Sequence, residues 1–165
     1  MNRSVQAAWQ TNLKVNLVLV DHLTSEMLDA RTPGGGYTVA QHLAHIVGSV
    51  KHWGTKLDNE RLGGLPDLFT VRKELTEDDP DALVPETDLK HIRAVLLETA
   101  EAARDAVKNA PEGFTGELPH VSTDTFLIHM MVHDAHHRGQ LLLALKTSGY
   151  ALPDEDSLWT PWKEK

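Results

Sequence analysis

The sequence predicts an all-α fold, a four-helix bundle with one long crossover loop at about residues 58–86 and an irregular C-terminal tail. Two observations lead to this prediction. Apolar residues recur at the three- and four-residue spacing of a helix in four separate segments. Two short connections and one long connection join those segments, which is a connectivity found in helical bundles.

Glycine, proline and a capping sequence delimit the first two helices. The first is expected over residues 4–29 and ends before Pro33 and the glycines that follow it. Thr38 and Gln41 predict a capping box at the start of the second helix, which continues to about Leu57. The apolar positions of these two helices are Val5, Ala8, Trp9, Leu13, Leu17, Val20, Leu23 and Leu28, followed by Val39, Leu43, Ile46, Val47, Val50, Trp53 and Leu57.

The second half of the bundle follows the long connection. Glycines and prolines within residues 58–86 preclude a long helix, and we interpret this segment, with its acidic run at 77–81, as a crossover rather than a lid. The third helix is expected over 88–110 and the fourth over 122–148. The tail, 152–165, contains two tryptophans that we expect to pack on the domain or on a second subunit.

Composition limits the class of protein. A chain of 165 residues, 41% hydrophobic and 24% charged, is expected to form a single domain over residues 1–165. Its formal charge of −8 argues against a nucleic-acid backbone as the main partner. No apolar run is long enough for a membrane span and the first residues lack the apolar core of a signal peptide, so a cytoplasmic location is expected.

The fourth helix carries a cluster of histidines in a chain that has no cysteine. His133 and His137 are four residues apart on an otherwise apolar stripe, so both rings can approach one point. Buried imidazoles require partners, and these are either hydrogen-bonding groups of the core or a divalent metal held by nitrogen and oxygen ligands. His129 and Gln140 flank the stripe as candidate supporting residues, and His136 is expected at the rim.

A third ligand must come from another part of the chain, because no histidine follows His137. A zinc-protease reading is disfavoured because Asp134 stands where the general-base glutamate would be. A di-iron carboxylate site lacks matching carboxylates on the other helices. The second helix offers His42 and His45. The helical wheel slightly favours His42, which is nearer the apolar stripe, over His45 on a more polar edge.

The segment from Tyr37 to Ile46, YTVAQHLAHI, and the segment from His133 to Leu141, HDAHHRGQL, resemble the DinB-like family of bacterial four-helix metalloproteins. The resemblance covers nearly the whole chain and implies the metal ligands His45, His133 and His137, thus choosing His45 over His42. Arg138, within the second motif, is expected to form a surface ion pair or to contact an anionic group of a substrate.

The resemblance also implies a function. The family includes enzymes that use thiols such as bacillithiol and mycothiol for S-transfer or isomerisation, so we expect a divalent ion, zinc or nickel, and a possible low-molecular-weight thiol cosubstrate. A metal-dependent transferase, isomerase or hydrolase acting on a small molecule is the leading hypothesis. The alternative is a non-catalytic metal-binding or stress-related bundle protein. A homodimer is expected, and no catalytic acid or base is identifiable from the sequence.

Overall fold

The structure is a computed structural model that describes residues 2–72, 74 and 82–163. Four long helices confirm the all-α prediction, and two short helices, a 3₁₀ segment and two short strands complete the fold. In chain order the elements are α1 (Arg3–His22), the 3₁₀ segment (Ser25–Asp29), α2 (Val39–Thr55), α3 (Asn59–Leu62), β1 (Phe69–Val71), β2 (Leu83–Pro85), α4 (Leu89–Asn109), α5 (Thr123–Thr147) and α6 (Glu155–Lys163).

The core lies between the four long helices, where α2 contacts both α4 and α5, and α1 contacts the same two helices from the other side. Trp9, Leu43 and Phe126 are almost completely buried at its centre. The indole N–H of Trp9 donates a hydrogen bond of 2.9 Å to the carbonyl of Ala100, so the largest core side chain is also satisfied as a donor. This packing fixes the rotation of α2 and α5 relative to each other.

The start of α2 is the predicted capping box. The backbone N–H of Gln41 donates to the Thr38 hydroxyl at 3.1 Å, and the backbone N–H of Thr38 donates to the Gln41 side-chain oxygen at 2.9 Å. The helix therefore begins firmly at Val39 and places His42 and His45 within its first two turns.

The crossover between α2 and α4 is more structured than predicted. It contains α3 and an antiparallel pair of strands in which Thr70 lies opposite Val84. The pair rests on α2, because the side-chain N–H of Gln41 donates to the Leu83 carbonyl at 3.3 Å. The acidic run at 77–81 lies outside the described residues.

Two boundaries differ from the sequence prediction. The first helix ends at His22 rather than near residue 29, and a 3₁₀ segment occupies the difference. The tail, predicted to be irregular, forms α6 and packs against α1. Pro161 is buried inside that helix, whereas Trp159 and Trp162 are 52% and 58% exposed and do not pack back onto the domain. Within the described residues, no helix combines the length and apolarity that a membrane crossing requires.

Candidate metal centre

Helices α2 and α5 face each other and bring together His45, His133 and His137. Each imidazole offers one ring nitrogen, and these three nitrogens lie within 4.8 Å of one another. The ring centroids are 4.4 Å apart for His133 and His137, 4.6 Å for His45 and His137, and 5.0 Å for His45 and His133. The pair on α5 and the single residue on α2 therefore converge on one point.

The donor set is suited to a divalent ion. The Nε2 atoms of His133 and His137 are 3.1 Å apart, and the hydroxyl oxygen of Ser49 lies 3.3 Å from Nε2 of His133. Three imidazoles with no carboxylate form the neutral nitrogen shell found in some catalytic zinc sites, where a further coordination position stays open. The three residues present could thus hold a metal ion without any rearrangement of the helices.

His42, which the helical wheel favoured, lies behind this group and not within it. Its Nδ1 is 3.0 Å from Nδ1 of His137, and its side chain is buried with 4% exposure. If Nε2 of His137 faces the ion, the proton of that ring is on Nδ1, and this N–H donates a hydrogen bond to Nδ1 of His42. Such an outer hydrogen bond fixes the tautomer and the orientation of a ligating imidazole.

Comparison with models of protein families identifies one that matches this chain. The model of the DinB family matches residues 1–165, which is the whole chain. The chain belongs to the DinB family. The match confirms the resemblance seen in the motifs of the second and fourth helices. Searches of curated proteins and of solved structures found no match.

Burial lowers the pKa of three histidines at this centre of the DinB-family chain, His42, His45 and His137. Loss of hydration, followed by repulsion from His45 and His136, lowers the pKa of His42 from 6.5 to about 4. Burial and the neighbouring imidazoles lower the pKa of His137 to about 3, and burial followed by His133 also lowers that of His45. A neutral imidazole has the free lone pair that a metal requires, so these pKa shifts favour metal binding near neutral pH.

The same pKa shifts predict how the metal-free protein responds to acid. The folded-state pKa values of His42 and His137 lie below the ordinary value, so between pH 6.5 and 4 the unfolded chain binds protons that the folded chain does not. The contribution of these two histidines to the free energy of unfolding is therefore fully present above pH 6.5 and is lost as the pH falls below that value. From pH 7.5 to 5.5 we expect a loss of roughly 1.4 kcal/mol for each of these two histidines.

Urea unfolding with a chelator present measures this loss. His42→Gln removes one of these titrating rings and keeps a neutral polar side chain, so its loss over the same pH interval should be smaller than that of the unsubstituted protein by roughly 1.4 kcal/mol. An equal loss in both proteins would show that His42 is not held neutral by the fold.

A second buried polar group lies on the opposite side of α5. Asp134 is 2% exposed, and its Oδ2 accepts hydrogen bonds from the side-chain amides of Asn12 at 2.7 Å and Asn16 at 2.9 Å. Arg138 donates from Nη1 to the oxygens of the same two amides, at 2.7 and 2.6 Å. The predicted surface ion pair of Arg138 is wrong, because its side chain donates to the buried amides of α1 instead.

This network also argues against Asp134 as the general base of a zinc protease. Two amides of α1 hold one of its oxygens, while the other oxygen lies 3.9 Å from Nδ1 of His133. Neither that carboxylate oxygen nor Nδ1 of His133 has a hydrogen-bond partner within the part of the chain that the structure describes. Asp134 is therefore directed toward the back of a candidate ligand and away from the point where the three histidines converge.

The remaining histidines do not belong to the converging group. His129, predicted as a supporting residue, instead pairs with His120. Nδ1 of His129 lies 2.9 Å from Nε2 of His120, beside the ring of Trp53. Gln140 is exposed and lies 3.4 Å from the exposed His136, which occupies the predicted rim position.

The sequence analysis did not identify Asn12 and Asn16. Their only signal was the presence of two amides four residues apart within an apolar helix.

Proposed function

We propose that His45, His133 and His137 bind one divalent metal ion, zinc or nickel, and that the protein is a metal-dependent enzyme acting on a small molecule. The observation that carries this proposal is the convergence of three imidazole nitrogens from two helices within 4.8 Å. The proposal rests on membership of the DinB family and on a three-histidine group that is able to hold a metal.

The protein's own residues would shape such a centre. His42 would hold the ring of His137 in one tautomer, and burial would keep both rings unprotonated. The hydroxyl of Ser49, 3.3 Å from Nε2 of His133, would be placed to contact a group bound beside that ring. When bound, a divalent ion with three neutral ligands would lower the pKa of a coordinated water or thiol.

The reaction class we propose is thiol-dependent S-transfer or isomerisation, with hydrolysis as the second candidate. The chain contains no cysteine, so the reactive thiol would belong to a low-molecular-weight cosubstrate. A thiol has a stronger affinity than water for a borderline-soft ion such as Zn²⁺. This difference favours a thiol-dependent reaction over hydrolysis.

A cobalt-substituted protein tests this function. One equivalent of Co²⁺ should bind per chain, and adding a low-molecular-weight thiol such as glutathione, cysteine or bacillithiol should produce a sulfur-to-cobalt charge-transfer band in the near ultraviolet. We expect the same thiol to be consumed when a panel of small electrophiles is supplied with the zinc- or nickel-loaded protein. Metal binding without a thiol band and without turnover would favour the non-catalytic alternative.

A further inference from the structure

A small cavity lies directly beside the candidate metal centre, between α2 and the strand pair of the crossover. Its volume is about 60 Å³. It is lined by Gln41, Ala44, His45, Phe69, Leu83 and Pro85. His45 is both a wall of this cavity and one of the three candidate ligands, so the cavity adjoins the candidate metal centre.

The wall of the cavity is apolar, and its one amide is already engaged. The Gln41 side chain uses its oxygen for the backbone N–H of Thr38 and its nitrogen for the carbonyl of Leu83. Apart from Gln41 and His45, the described lining side chains are hydrocarbon. A polar group placed in such a cavity would lose hydration without gaining a partner, whereas an apolar group would gain from burial.

The strand pair is fixed against α2 on both sides of the cavity. On one side Gln41 holds the backbone of Leu83. On the other the ring of Phe69 packs on Gly48, where an added Cβ would lie 3.0 Å from Cε1 of the ring. These two contacts determine the depth of the cavity, so the crossover forms a wall of the site as well as connecting two helices.

We propose that this cavity is a specificity subsite that receives the short apolar tail of the small molecule whose polar head binds the metal. The proposal rests on the metal centre described under the proposed function. A single water needs about 10–15 Å³ of such space, so 60 Å³ accommodates a group of a few carbon atoms. The substrate class is accordingly a small molecule with a metal-binding head and a short alkyl chain or small ring.

Titration calorimetry of the zinc-loaded protein with n-alkyl hydroxamates, from acetohydroxamate to octanohydroxamate, tests the subsite. Each hydroxamate supplies the same metal-binding head, and each methylene that enters the cavity should raise the affinity about fourfold. We expect this rise to stop once a few carbons fill the cavity. Leu83→Ala should move the stopping point to a longer chain, and Leu83→Phe should move it to a shorter one.

Val84→Ala is the matched control, because Val84 is the next residue of the same strand and its side chain points to the opposite face. It should leave the dependence on chain length unchanged. If the protein binds zinc but its affinity for the hydroxamates does not depend on chain length, the subsite alone is overturned. Equal changes in the chain-length dependence of the Leu83 and Val84 variants would overturn it as well. A protein that binds no zinc in the same calorimeter would overturn the metal centre, and the subsite with it.

Discussion

His137→Ala is expected to weaken Zn²⁺ binding by more than about 100-fold. The reason is that His137 is the central member of the group, in ring contact with both His45 and His133. Replacing an outer-shell partner typically costs 10- to 100-fold in affinity, and removing a ligand should exceed that range. Competition with a chromophoric chelator measures the affinity at neutral pH.

Two neighbouring positions make this experiment specific. His136→Ala changes the adjacent but exposed imidazole and should alter the affinity little. His42→Ala removes the buried partner of His137 and should fall between the two, with a loss of about 10- to 100-fold. Circular dichroism of all three variants should show the helices retained. Similar losses for His136→Ala and His137→Ala would contradict the assigned ligand set.

Arg138→Met is expected to lower the free energy of unfolding by about 3 kcal/mol, because the buried amide oxygens of Asn12 and Asn16 lose a charged hydrogen-bond donor. Arg138 supplies the positive charge near the buried carboxylate of Asp134 and donates to both Asn12 and Asn16. Methionine preserves much of the side-chain volume but leaves that carboxylate without a compensating charge. Urea unfolding in the presence of a chelator separates this effect from any effect on the metal.

Arg104→Met provides the control, because Arg104 pairs with Asp105 near the surface and its loss should cost less than about 1 kcal/mol. The double variant Asp134→Leu and Arg138→Met should be less destabilised than the sum of the two single variants, since it removes both charges. Equal costs for Arg138→Met and Arg104→Met would show that the network on α1 and α5 is not an interdependent unit.

The long helices could be predicted from the sequence because apolar residues recur at helical spacing in each of them. Thr38 and Gln41 fix the beginning of α2 through local hydrogen bonds alone, which is why that boundary was predicted to the residue. The strands of the crossover have only three residues each, too few for a periodic pattern, and their pairing depends on contact with α2. The tail helix contains Pro161, a residue that opposes helix formation, and the helix packs against α1, a tertiary contact that the sequence pattern does not show.

The candidate site was predictable only in part. The four-residue spacing of His133 and His137 places both rings on one face of any helix, so their proximity follows from the sequence. Whether His42 or His45 meets them depends on the rotation of α2 against α5, which is a result of tertiary packing. The motif resemblance chose His45, and the structure groups that residue with the pair. The role of Arg138 was inaccessible because a helical wheel does not show that α1 covers its face.

The most direct test of the metal centre is X-ray absorption spectroscopy of the zinc-loaded protein and its His45→Ala variant. For the unsubstituted protein we expect one ion per chain with three imidazole nitrogens at about 2.0–2.1 Å and at least one additional light ligand. In His45→Ala the imidazole contribution should fall from three rings to two. An unchanged imidazole count in that variant would show that the ion does not lie where α2 and α5 bring the three histidines together.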